Sequence, residues 1–83
     1  MGTIEMKKAI ATTEILGQTI RYYRKRQSLT QASLALLAGV GRRFIVELEQ
    51  GKDTIQFAKV LQVLHALGIG IEVVAHWDDS DSV

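Results

Sequence analysis

Apolar residues recur every three or four positions through most of the chain, a spacing that predicts amphipathic helices. The first helix is expected to bury a stripe formed by Leu16, Ile20 and Tyr23. A hydroxyl from Thr12 or Thr13 can cap its N-terminus, and Glu14 suits the positive end of the helix dipole. We expect this helix to end at residues 27–28.

Two shorter helices follow, separated by a glycine turn. Thr30 offers a hydroxyl to the start of the second helix, whose apolar side is expected to hold Leu34, Leu37 and Ala38. Gly39 ends it, because glycine adopts the left-handed backbone of a tight C-terminal turn. The third helix is predicted from Arg42 to Gln50, with Gly51 as its end and with Ile45 and Leu48 buried.

A fourth helix and one strand complete the prediction. Asp53 or Thr54 can cap the helix, Gly68 stops it, and its apolar residues are Phe57, Val60, Leu61, Leu64 and Leu67. From residue 69 the period changes to two, which predicts a strand with Ile69, Ile71, Val73 and Ala75 on one face. The predicted fold class is therefore all-α, with one C-terminal β-strand.

Composition alone argues weakly against nucleic acid, because the 83 residues carry a net charge of only +1. The distribution of charge changes this picture. Residues 21–52 hold seven Lys and Arg against two Glu, whereas residues 53–83 hold one Lys against five acids. A basic middle and an acidic end indicate two faces with different partners.

Several classes of protein are disfavoured. The chain has no cysteine, which fits a reducing cytoplasm and excludes thiolate chemistry. Its two histidines, His65 and His76, lack metal-ligand spacing, so we expect no metal, no cofactor and no enzyme activity. Apolar stretches too short to span a bilayer, and a start without a basic segment followed by an apolar run, predict neither a membrane segment nor a secretory signal.

The most informative pattern is the pair of short helices joined by Gly39-Val40-Gly41. Such helices cross steeply in a helix-turn-helix, whose second helix enters the DNA major groove. Arg42 and Arg43 lie in the first turn of that helix, and an arginine fork can bond guanine N7 and O6. The alternative is a basic helix end that is merely solvated, and the spacing alone does not separate the two.

The same region resembles a known family. Leu29-Thr30-Gln31, Leu34-Ala35, Gly39-Val40, Ile45, Leu48-Glu49, Gly51-Lys52 and residues 60–69 follow the pattern of Xre/Cro-type helix-turn-helix proteins. The resemblance spans residues 16–69 and implies a lambda-repressor-like bundle of four to five helices. Within the family, residues 41–45, residues 47–52 and the strand ending at residue 74 are similar to HipB-like antitoxins.

The resemblance implies roles for individual residues. Gln31, beside Thr30 at the start of the second helix, matches a family glutamine that meets a phosphate. Base-facing positions of the recognition helix match Gly41, Arg42, Arg43, Val46 and Glu47. Arg24 and Glu49 match a buried ion pair that ties the first helix to the third, and each would need a partner once buried.

Other residues near this surface leave alternatives open. The flanking cations Arg21, Lys25, Arg26 and Lys52 are phosphate candidates, of which we expect two to touch DNA. Glu47 can accept from a cytosine N4, orient Arg43 or remain solvated. Phe44 can pack in the core or touch a thymine methyl. Gly41 lacks the hydroxyl of many relatives, and the loop over residues 52–56 lacks their proline.

The ends of the chain predict assembly. A lone strand leaves its backbone amides unpaired, so Ile69, Ile71 and Val73 are expected to pair with the same strand of a second copy. The rival partner is the weak alternation in residues 3–10. Trp77 either caps this ribbon or, by the resemblance, anchors a toxin.

These patterns divide the chain into an N-terminal arm (1–11), a DNA-binding domain (12–68), a dimerisation strand (69–77) and an acidic disordered tail (78–83). The implied function is a homodimeric antitoxin in the cytoplasm, at the nucleoid. It would neutralise a kinase-like HipA-type toxin and repress its own operon at a palindromic operator. The alternatives are a stand-alone Xre-type repressor and, more distantly, an interaction adaptor that has lost DNA binding.

Overall fold

Four helices make up the regular structure of this chain. The computed structural model describes residues 7–76 and contains α1 (Thr13–Arg26), α2 (Gln31–Ala38), α3 (Arg42–Glu49) and α4 (Phe57–Ala66). The predicted all-α class is confirmed for these residues, with four helices. Trp77, the acidic tail and the first six residues of the arm lie outside the described residues.

Threonine hydroxyls start the first two helices. Thr12 Oγ1 accepts from the Ile15 backbone N–H at 3.1 Å, and Thr30 Oγ1 accepts from the Ser33 N–H at 3.0 Å. Each hydroxyl satisfies a donor that has no partner within the helix. The predicted cap of the fourth helix is wrong, because α4 begins at Phe57 after Gln56, which makes no side-chain cap.

A residue with left-handed backbone follows each of the four helices within one or two positions. These residues are Ser28 after α1, Gly39 after α2, Gly51 after α3 and Gly68 after α4. Gly39, with φ of 73°, matters most because it turns α2 into α3. The Val40 N–H then reaches the Ala35 carbonyl at 3.0 Å, which closes the end of α2. The turn of three residues, Gly39, Val40 and Gly41, thereby sets the direction in which α3 leaves α2.

All four helices contribute to one core. The buried apolar side chains are Ile20, Leu34, Ala35, Ala38, Ile45, Leu48, Val60, Val63, Leu64 and Leu67. Leu16 and Tyr23, predicted in the α1 stripe, are partly buried against them.

Three residues that the sequence analysis placed among the apolar positions of the second and fourth helices lie outside this core. Leu37 is 63% exposed, Phe57 62% and Leu61 43%. A helix turns by about 100° per residue, and the buried arcs of α2 and α4 are set by Leu34, Ala35 and Ala38 and by Val60, Val63, Leu64 and Leu67. The three exposed residues fall beside those arcs, so the apolar pattern was wider than the buried face.

Helices α1 and α3 approach closely at Gly17. A Cβ atom placed there would lie 2.4 Å from the Leu48 carbonyl oxygen and 2.8 Å from that of Glu49. Thr13 adds a hydrogen bond from Oγ1 to the Gly51 carbonyl at 2.8 Å. The start of α1 therefore lies directly against the end of α3.

After α4 the chain continues without helix or strand through residue 76 of this single chain. Ile69 packs partly against the core, whereas Ile71 and Val73 are exposed. Lys7 Nζ lies 3.6 Å from Glu72 Oε2, with both side chains exposed. The strand was predicted to pair between two chains, and it stays a prediction. No helix within residues 7–76 has the length and apolar character needed to cross a bilayer.

Candidate nucleic-acid interface

Helix α3 is held from one side and open on the other. Ile45 and Leu48 are buried, and they hold the helix against α1 and α2. Arg42 and Arg43 in its first turn are exposed, and Val46 and Glu47 are half-buried beside them. The predicted base-facing residues therefore share the face of α3 that takes no part in the core.

A buried ion pair connects three elements behind this face. Arg24 donates from Nε to Glu49 Oε2 at 2.6 Å and from Nη2 to Oε1 at 3.0 Å, and its Nη1 reaches the Leu29 carbonyl at 2.8 Å. The side chains of Arg24 and Glu49 are only 9% and 4% exposed. The hydrogen bond to Glu49 raises the pKa of Arg24 above its ordinary value, against the opposing effect of burial.

Gln31 joins the same network. Its Nε2 donates to Glu49 Oε1 at 3.3 Å, a contact that the sequence analysis did not predict. The side chain expected at a phosphate thus lies against the carboxylate of Glu49. Its backbone N–H lies in the first turn of α2, where amides have no acceptor within the helix and suit an anion.

An open groove lies between α1, α2 and α3. It is lined by Arg21, Arg24, Leu29, Thr30, Gln31, Ala32, Arg42, Val46, Glu49 and Gln50. Because Arg24 is neutralised by Glu49, the cations left to attract an anion there are Arg21 and Arg42. The groove therefore joins the start of α2 to the open face of α3.

The Glu47 carboxylate, on the open face of α3, forms ion pairs with two basic side chains. Arg43 donates from Nε to Oε1 at 3.0 Å, and Lys52 Nζ lies 2.6 Å from Oε2. Lys52 and then Arg43 lower the pKa of Glu47 below its ordinary value. The predicted phosphate contact Lys52 is thus held by an acid of α3.

The cations of α1 lie on two different flanks. Lys25 is one turn after Arg21, which lines the groove. Arg26 lies five positions after Arg21, about 140° around the helix. There its Nη1 donates to the Tyr22 hydroxyl at 3.3 Å, and its guanidinium lies 5.8 Å from the ring centroid. Arg21 and Lys25 share the groove side, and Arg26 does not.

Phe44 packs partly buried against the core, and Lys59 Nζ lies 5.7 Å from its ring centroid. Of the two alternatives for this residue, the structure gives the core position. His65 and His76 are both exposed. Among residues 7–76, no group of three or more His, Cys, Asp and Glu side chains is placed to hold a metal ion.

Family comparison agrees with the order of helices and the turn. The helix-turn-helix family model matches residues 20–74. The chain belongs to the helix-turn-helix family, in its Xre-type branch. It is 53% identical over 70 residues to the HTH-type transcriptional regulator y4mF of Sinorhizobium fredii, covering 84% of this chain and 92% of that protein. It is 31% identical over 62 residues to the HTH-type transcriptional regulator MJ0272 of Methanocaldococcus jannaschii, covering 75% and 94%.

Solved structures share the fold. HipB in a HipA-HipB-O2-O3 complex superposes with a TM-score of 0.77 at 19% identity, covering 83% of this chain and 97% of HipB. The restriction-modification controller protein C.AhdI from Aeromonas hydrophila gives 0.64 at 29% identity, covering 70% and 88%. The likeness to HipB concerns the fold, because the identity is low.

Proposed function

We propose that this protein is a sequence-specific, double-stranded-DNA-binding transcriptional repressor. The observation that carries the proposal is the open face of α3, which presents Arg42, Arg43, Val46 and Glu47 beside the start of α2. Membership of the helix-turn-helix family and 53% identity to an HTH-type transcriptional regulator support it. Binding to an operator would block transcription and would place the protein in the cytoplasm, at the nucleoid.

In this proposal α3 lies in the major groove and α2 crosses the phosphate backbone. Arg42 and Arg43 donate to base edges, with Gly41, Val46 and Glu47 at the same surface. The Gln31 backbone amide, together with Thr30, meets a phosphate at the start of α2. Arg21, which lines the groove, and Lys25, one turn further along α1, are the favoured flanking cations, whereas Arg26 and Lys52 contact Tyr22 and Glu47.

A homodimer is the second part of the proposal. Large apolar side chains are exposed on α4 and on the proposed pairing face of the segment after it: Phe57, Leu61, Ile71 and Val73. A contiguous patch of exposed apolar surface is typical of an interaction site, and the proposal is that these residues form one between two copies of the chain. Pairing of the segment through Ile69, Ile71 and Val73 with a second copy would relate two α3 helices by a two-fold axis. Half-sites about one DNA turn apart then form a palindromic operator.

The proposal is tested by selecting bound sequences from a randomised duplex library with the full chain, and by titrating the enriched duplex with variants. Arg42→Ala should lower affinity for the enriched duplex by about 1–3 kcal/mol and relax the preference at one position. Arg26→Ala removes the same charge from the other flank of α1 and should leave that preference unchanged. Equal preference profiles in wild type and Arg42→Ala would remove α3 as the reading helix.

Two biological settings are open to such a repressor. The HipB fold neighbour occurs with HipA in its complex, which supports an antitoxin that binds a HipA-like toxin, with Trp77 as a candidate anchor. The regulator names of the relatives and the likeness to a restriction-modification controller protein support a stand-alone regulator instead. The two differ in the adjacent reading frame. Stoichiometric co-purification with a kinase-like product of that frame, lost in Trp77→Ala, is expected only for the antitoxin.

A further inference from the structure

Glu47 is an acidic residue on the open face of α3, which is the face proposed to enter the DNA major groove. A carboxylate there repels phosphates, so its presence weakens sequence-independent attraction. Its two oxygens are both engaged, Oε1 by Arg43 and Oε2 by Lys52. The contact it makes with Arg43 is the feature from which a role can be derived.

Arg43 donates to Glu47 through Nε alone. The two terminal nitrogens of the guanidinium, Nη1 and Nη2, are not used in this contact and remain as a fork of donors. That fork matches the N7 and O6 acceptors of guanine in the major groove. The Arg43 side chain is 92% exposed, and its bond to Glu47 restrains it. Because an unrestrained arginine loses much rotamer freedom on binding, this restraint lowers the entropic cost of contacting a base.

Lys52 in turn fixes Glu47. The Lys52 backbone N–H donates to the Glu47 carbonyl at 3.1 Å in the turn that ends α3, and its Nζ lies 2.6 Å from the Glu47 carboxylate. Lys52 therefore contacts Glu47 twice, at its backbone carbonyl and at its carboxylate. The three side chains form a chain of contacts from the end of α3 to its first turn.

We infer that Glu47 is a positioning residue that presents Arg43 to a guanine of the operator, with Lys52 as its support. This inference rests on the proposed function and deepens it, because it assigns guanine to Arg43. The triad carries a net charge of +1 where Arg43 and Lys52 alone would carry +2. Glu47 thus reduces attraction to phosphates while it favours one base, and both effects increase sequence discrimination.

The test compares two duplexes on each protein. The first is the duplex enriched by the full wild-type chain. The second carries 7-deazaguanine, which lacks the N7 acceptor but keeps O6, at the guanine whose replacement weakens binding of wild type but not of Arg43→Ala. Wild type should prefer the natural duplex by roughly two- to tenfold, about half the free energy of a bidentate contact, because one of the two acceptors is removed. In Glu47→Ala this preference should fall to near one, and binding should depend more steeply on salt, by about one phosphate contact.

A double-mutant cycle separates positioning from other roles. In the Arg43→Ala background, Glu47→Ala should change the guanine preference no further, because the residue it positions is gone. Glu14→Ala is the matched control, since it removes an exposed acid at the start of α1, outside the proposed DNA-binding face and the proposed dimer strand, and should leave the preference unchanged. The preference is a ratio measured on one protein preparation, so partial unfolding of a variant does not alter it.

Three results would overturn the inference. The first is an unchanged guanine preference in Glu47→Ala. The second is an equal effect of Glu47→Ala with and without Arg43. The third is a new loss of preference at a cytosine, which would mean that Glu47 reads a base directly. If the wild-type chain enriches no sequence, the proposed function itself fails, and that outcome is distinct from all three.

Discussion

Arg24 lies among the basic residues of α1, yet its guanidinium points inward to a carboxylate of α3. Replacing it by methionine would leave Glu49 buried and without its cation, and such a loss costs about 3–5 kcal/mol. We therefore expect Arg24→Met to lower the free energy of unfolding by that order in chemical denaturation. The double variant Arg24→Met/Glu49→Leu should recover most of the loss. A single variant as stable as wild type would contradict the buried pair.

Glu47 gives a prediction about pH. Lys52 and Arg43 lower its pKa in the folded chain, so the ion pairs contribute stability above the ordinary carboxyl pKa. That contribution is lost as the pH falls through the lowered folded value. An NMR titration of the Glu47 carboxyl carbon should give a pKa below that of an unpaired glutamate, and Lys52→Met should shift it upward. A pKa insensitive to Lys52→Met would exclude the contact in solution.

The role of a residue was predictable where its side chain had one type of partner available, such as an opposite charge or a helix N-terminus. The family resemblance paired Arg24 with Glu49, burial required a partner for each charge, and the structure brings the two together. Gln31 was assigned to a phosphate, but its contact with Glu49 depends on how α2 and α3 cross, which no local pattern encodes. The pairing of Arg43 with Glu47 has helical i, i+4 spacing, whereas the contribution of Lys52 requires the turn after α3.

At the scale of elements, Gly17 determines how closely α1 and α3 can approach. A methyl group at this position would meet backbone carbonyl oxygens, which cannot move aside as a side chain can. Gly17→Ala is expected to cost about 1–3 kcal/mol of overpacking despite the better helix propensity of alanine. Gly41→Ala is the control, because nothing lies within 4 Å of its added Cβ. Thermal unfolding of both variants checks this, and equal melting temperatures would refute the close approach.

Element boundaries followed the sequence where a local interaction sets them. The Thr12 and Thr30 hydroxyls and the Gly39 turn are such interactions, so the limits of α1 and α2 were predictable. Helix α4 starts without a side-chain cap, so no local signal marks its first residue. Leu37, Phe57 and Leu61 are apolar yet exposed, because the sequence shows which residues are apolar and the tertiary fold decides how wide the buried arc is.

At the scale of the whole molecule, the proposed dimer depends on the segment after α4. Ile71 is 53% exposed in the single chain, so Ile71→Lys should leave the fold intact while it disrupts pairing. We expect a monomer by light scattering at micromolar concentration. Operator affinity should fall by about a hundredfold, because the two half-site contacts are no longer linked in one dimer. Val74→Lys, on the opposite face of the predicted strand, should remain dimeric. A dimeric Ile71→Lys protein would argue for another interface.

Sequence discrimination by this small, nearly neutral chain can be measured as the ratio of its dissociation constants for a shuffled duplex and for the enriched duplex. The two duplexes have the same length and composition, and both constants are measured at one fixed salt concentration. We predict a ratio of at least about a thousand, as for other specific DNA-binding proteins, and a marked loss in Arg42→Ala. A ratio near one, with equal salt dependence for both duplexes, would show that the protein binds only phosphates and does not read sequence.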